Sequence, residues 1–136
     1  RDGCRTPMPW ALGSGNGFTS GEAWLRSEHR ADGETAHAQV GEPDSWHSRY
    51  AGLLAAHRTL PDLVDESVVW TDGGHGPVIA YRRGPVGVAA NTSADLHHID
   101  IPAGASVAYA TPGVRVDGER RLALTAHDAV LWVDRS

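Results

Sequence analysis

The side chains able to do chemistry fall into a few clusters. His97 and His98, with Asp95 close by and His75 upstream, form the first, because imidazole and carboxylate are ordinary zinc ligands. Adjacent residues on a strand point to opposite faces, so the two imidazoles do not converge on one ion, and no metal is expected. Cys4 is the one cysteine, with no disulfide partner in the chain and no histidine at a fixed spacing to activate it as a nucleophile. Gly13-Ser14-Gly15-Asn16-Gly17 has the glycine density of a phosphate loop. It lacks the lysine of a Walker motif and a following helix start, which leaves a flexible loop. A further charged cluster, Arg1, Asp2 and Arg5, reads on its own as a salt-bridged loop.

Composition narrows the possibilities. The 12 basic residues are all arginine and face 17 acidic ones, for a net charge of -5, with the signs mixed along the chain. Nucleic acid is therefore not an expected partner, since phosphate binding rests on clustered cations. No run of about 18 apolar residues exists to cross a membrane. At 136 residues the chain can bury a core but falls well short of the roughly 250 of a TIM barrel. The single cysteine favours a reducing, cytoplasmic compartment. With neither a signal core nor an initiator methionine, the chain reads as part of something longer. Nothing in it calls for a cofactor.

The elements that must position these residues are uneven. Residues 1–42 are rich in Gly, Pro, Ser and Asp without sustained period, and read as a long irregular segment holding Trp10, Phe18 and Trp24. Three large aromatics in a loop want a surface to pack on. Pro43-Asp44-Ser45 then opens a helix over about 44–59. Asp44 or Ser45 is the predicted cap, Trp46, Tyr50, Leu53, Leu54 and His57 form one face, and Leu60-Pro61 is the stop. Seven short β-like runs come next: 67–70, 78–82, 86–90, 97–101, 106–110, 121–124 and 129–133. Turn residues such as Asp72-Gly73-Gly74, Arg83-Gly84-Pro85 and Asp117-Gly118 separate them. The expectation is a mainly β chain, an antiparallel Greek-key β-sandwich preceded by an irregular loop and one α-helix.

The opening run Arg1-Asp2-Gly3-Cys4-Arg5-Thr6-Pro7-Met8-Pro9-Trp10 resembles the RDGxRTPMxW block of α-glucosidases and oligo-1,6-glucosidases in glycoside hydrolase family 13. Gly17-Phe18-Thr19, Trp24-Leu25, and Pro43-Asp44-Ser45 opening a helix with Tyr50 and residues 53–58 are similar to the family's segments C-terminal to that block, in the same order. Val78 to Arg83 resembles the FxYxR strand of the family's C-terminal domain, and Val86 to Asn91 the next strand. The likeness spans nearly the whole chain.

The resemblance implies a catalytic (β/α)₈ barrel upstream. Residues 1–60 would then be its end, a substrate loop plus the last barrel helix, and 61–136 a C-terminal antiparallel β domain. The family's catalytic carboxylates lie before this block, so no catalytic residue is expected here and the chain alone should be inactive. Arg5 matches an arginine that holds the terminal glucose of an oligosaccharide. Its guanidinium fork suits vicinal hydroxyls, and Asp2 and Arg1 could share the site. Pro9 stands where many members have glutamine, so that neighbour's contacts do not transfer. Trp10 and Trp24 could stack on sugar, although buried anchors are the commoner use of such residues.

Two other readings stay open: a non-catalytic carbohydrate-binding or structural β-sandwich, and a piece of a trehalose synthase or sucrose isomerase. Without a barrel, the apolar helix face and the loop aromatics are expected to drive self-association.

Overall fold

The computed structural model describes residues 4–25, 32–64 and 66–135. The chain forms two compact units, Arg1–Ala51 and Gly52–Ser136.

The second unit is an antiparallel sandwich. Its strands are β1 (Val68–Trp70), β2 (Val78–Arg83), β3 (Val86–Asn91), β4 (His97–Asp100), β5 (Ser106–Ala110), β6 (Arg115–Val116), β7 (Arg121–Leu124) and β8 (Ala129–Val133). One sheet runs β1-β2-β3-β8-β5 and the other β4-β7-β6, so the chain changes sheet after β3, β4, β5 and β7. Gly84, at a φ of 55°, lets the chain reverse between Arg83 and its register partner Val86; a β-carbon would be strained there. Each of the seven expected strands forms. The short β6 is an addition, since two residues cannot show alternation.

The core lies between the sheets. Ala89, Val130 and Trp132 of the larger sheet meet Leu122 and Leu124 of the smaller one, with Ile101 closing the cluster. Gly87 pairs directly with Trp132, and a β-carbon there would clash with the edge of the indole ring, so the glycine makes room for the largest core side chain. At one end of the sandwich, Asn91 is almost fully buried. Its amide nitrogen donates to the carbonyls of Asp95 (2.7 Å), Thr125 (2.8 Å) and Leu124 (3.2 Å), joining two turns to β3.

Helix α1 (Ala36–Gln39) stands inside the segment expected to be irregular. Four residues are too few to give a helical period, yet Thr35 caps the helix by accepting from the Ala38 N–H at 3.2 Å. Helix α2 covers Trp46–His57, inside the expected 44–59. Ser45 is its cap, accepting from Ser48 N–H at 3.1 Å. Its apolar face is open. Trp46 is 69% exposed, Tyr50 63% and Leu54 55%, while Gly52 and Ala56 turn inward. The bare Cα of Gly52 admits the ring of Tyr109, 3.1 Å from where a β-carbon would be. Within the sandwich unit the helix packs through its small residues instead.

Candidate functional site

The candidate site belongs to the first unit. Trp10 N–H donates to Asn16 O at 2.9 Å and Ala11 N–H to the same carbonyl at 3.1 Å, closing residues 10–16 into a compact loop. Gly17, at a φ of 67°, closes its far side, and a β-carbon there would sit 3.1 Å from Ala11 N. The glycine-rich stretch Ser14–Gly17 is a 3₁₀ turn serving this closure.

Helix α1 holds the loop in place. The first N–H groups of a helix have no partner within it. Here Ala36 N–H donates to Pro9 O and His37 N–H to Trp10 O, both at 2.9 Å. Gln39 then links α1 to α2: its side-chain oxygen accepts from His47 N–H at 3.1 Å and its backbone carbonyl from the Ser45 hydroxyl at 2.8 Å. Thr35, Gln39 and Ser45 thus support the Pro9-Trp10 backbone. Sequence reasoning missed Thr35 and Gln39 in this role; the only signal was a cap-type threonine before Ala-His-Ala-Gln.

The side chains of this loop stay open. Arg5 is exposed and makes no hydrogen bond or ion pair among the described residues. Asp2 and Arg1 lie outside the described residues. Trp10 is 52% exposed, Phe18 58% and Trp24 85%, so the two tryptophans are not buried anchors within this chain. Cys4 is free and exposed.

The histidines do structural work. His97 Nε2 lies 3.1 Å from the Ser93 hydroxyl and His98 Nε2 3.0 Å from Asp117, so the neighbours face different partners. Among the described residues no group of three or more His, Cys, Asp or Glu could hold a metal ion, and no helix is long and apolar enough to cross a membrane.

One carboxylate has a displaced titration. Burial would raise the pKa of Asp128, but hydrogen bonds outweigh it and hold the group below its ordinary value. Thr111 and Thr125 hydroxyls each donate at 2.6 Å and Thr125 N–H at 2.8 Å, with Gly113 N–H a further donor. The arrangement welds turns of the sandwich and leaves no free carboxylate oxygen for chemistry.

Comparison with known proteins adds to the geometry. No family model matches the chain. Over 67 residues, 49% of the chain, it is 34% identical to the probable oligo-1,6-glucosidase 2 of Bacillus subtilis. Over 83 residues, 61% of the chain, it is 32% identical to a probable alpha-glucosidase of Rhizobium meliloti. The trehalulose synthase MutB of Pseudomonas mesoacidophila matches in structure over 97% of the chain, at a TM-score of 0.80 and 25% identity. These likenesses support a C-terminal region of a glycoside hydrolase family 13 enzyme. An isomaltulose synthase mutant of Erwinia rhapontici, in complex with D-glucose, matches equally well, at a TM-score of 0.80, 25% identity and 97% of the chain. The chain spans 12% and 15% of the length of the two curated relatives and 25% of each solved chain. The mainly β, antiparallel architecture is that expected of a family 13 C-terminal domain.

Proposed function

We propose that this chain is the C-terminal part of a retaining α-glucosidase that releases terminal α-linked glucose from oligosaccharides. The observation that carries the reading is the 34% and 32% identity to two proteins named as glucosidases. In this reading residues 1–60 end the catalytic barrel and 61–136 form the domain behind it. The chain supplies scaffold and part of the substrate loop. The nucleophile and the acid/base, which in retaining enzymes stand about 5 to 5.5 Å apart, belong to the upstream barrel.

Arg5 is the residue proposed to touch substrate, with Asp2 and Arg1 beside it. Its exposed guanidinium extends from a segment whose next turn is fixed to α1, and such a fork can meet two sugar hydroxyls at once. The exposed apolar residues of the loop and α2 are proposed to lie against the barrel in the parent enzyme and to drive self-association without it. The lone Cys4 favours a cytoplasmic location.

A second reading, a sucrose-isomerising enzyme, has the two sucrose-isomer synthases at TM-score 0.80 in its favour. Hydrolysis of p-nitrophenyl α-glucoside and isomerisation of sucrose, measured on the parent enzyme, separate the two. The glucosidase reading expects hydrolysis to dominate and the isolated chain of 14.5 kDa to be inactive. Arg5→Ala in the parent should lower kcat/KM about 10- to 100-fold, the worth of a charge-assisted hydrogen bond. Arg5→Lys should restore only part of it. Turnover by the isolated chain would overturn the assignment, and dominant isomerisation would select the second reading.

A further inference from the structure

Arg5 stands at the end of a short, stiff arm. Between it and Trp10 runs Thr6-Pro7-Met8-Pro9. Each proline fixes its own φ and restricts the residue before it to extended backbone, so all four residues of the arm are confined. Whatever fixes the Pro9 end of the arm therefore limits where the guanidinium can stand.

That end is fixed through backbone: Pro9 O and Trp10 O accept from Ala36 and His37 N–H, both at 2.9 Å. The two donors are aimed at the loop only while α1 is helical, and four residues are too few for a helix to persist unaided. Two side chains sustain it. Thr35, 2% exposed, caps its start by accepting from Ala38 N–H at 3.2 Å. Among the described residues of the first unit it is the one that is buried. Gln39 secures the other end, its Oε1 accepting from His47 N–H and its Nε2 donating to Glu34 O, each at 3.1 Å.

We propose that Thr35 and Gln39 are positioning residues for Arg5: by sustaining α1 they fix the Pro9-Trp10 backbone and, through the proline arm, the guanidinium that meets the sugar. This role rests on the reading of Arg5 as a sugar contact. Neither side chain touches substrate. Both act by removing beforehand the freedom that Arg5 would otherwise lose on binding, and a misplacement of about 1 Å at such a contact can cost on the order of 100-fold in rate.

The test measures kcat and KM of the parent enzyme for p-nitrophenyl α-glucoside. Thr35→Val, which keeps the shape and removes the acceptor, should lower kcat/KM about tenfold, and Thr35→Ser should keep most of it. Gln39→Leu, at a less buried position, gives the same readout where Thr35→Val fails to fold. The deciding variant joins either change to Arg5→Ala. A residue that acts through the arginine costs nothing more once the arginine is gone, whereas a general loss of structure adds to it. An added loss of less than about twofold supports the proposal. If Arg5→Ala is costly while Thr35→Val and Gln39→Leu are harmless, or their costs simply add to it, the positioning role is overturned and the reading of Arg5 stands. If Arg5→Ala costs nothing, that reading falls and the positioning role falls with it.

Discussion

At Asp128, burial and hydrogen bonding act in opposite directions. Burial favours the neutral acid, whereas donors from Thr111, Thr125 and Gly113 favour the carboxylate and prevail. A folded-state pKa below the unfolded value of 3.8 means stability that is complete above that pH. It is lost as the pH falls through the folded pKa. Asp128→Asn should therefore cost about 2 kcal/mol near neutrality, because an amide turns its own donors toward hydroxyls and N–H groups that need an acceptor. Denaturant unfolding of both proteins across the acid range checks this: the gap should narrow well below pH 3.8, and a constant gap would remove the carboxylate from the account. Little of this was legible in the sequence. Thr111 is 17 residues from Asp128, and only the fold brings them together. Asn91, by contrast, was visible as the end of a family-like strand, and its burial among three carbonyls gives the reason for an asparagine there. Arg5 was legible only through the block around it, since one arginine among twelve carries no signal of its own.

Elements were easier to read than residues, because turn chemistry is local. Arg83-Gly84-Pro85 and Asp117-Gly118 mark reversals that the strands obey, whereas β6 and α1 were too short to show a period. For α2 the pattern located the helix and the large apolar residues that stand open on it. Trp46, Tyr50 and Leu54 have the spacing of a buried stripe, but spacing does not say which surface is available, and within the sandwich unit only Gly52 and Ala56 turn inward. The start of α2 carries a prediction. Ser45 accepts from Ser48 N–H and donates to Gln39 O, so it both caps α2 and ties it to α1. Ser45→Ala should cost about 1 kcal/mol, and the loss should concentrate at the helix start. Amide exchange of Trp46–Arg49 is the direct measurement. Unchanged protection there would mean that the cap contributes nothing and that Gln39, through His47 N–H, holds the first turn alone.

For the whole molecule, the question is what covers the apolar surface. Trp24, Trp46 and Tyr50 are 85%, 69% and 63% exposed, and such residues gather at interfaces more than on free surfaces. The solved family members are about four times as long as this chain, which covers 25% of each. In the proposed parent enzyme the upstream barrel lies against those aromatics. The isolated chain then has only a second copy to offer in its place. Its sedimentation coefficient should rise with concentration, and Tyr50→Ser with Leu54→Ser should suppress the rise while the β-sheet circular dichroism stays constant. Supplying the upstream segment in trans should replace self-association by a one-to-one complex, because barrel and copy compete for the same face. A monomer at every concentration would show that the exposed face drives no association, and the barrel-docking reading would lose its support. Association that survives both serines would instead direct attention to Trp24 and the loop.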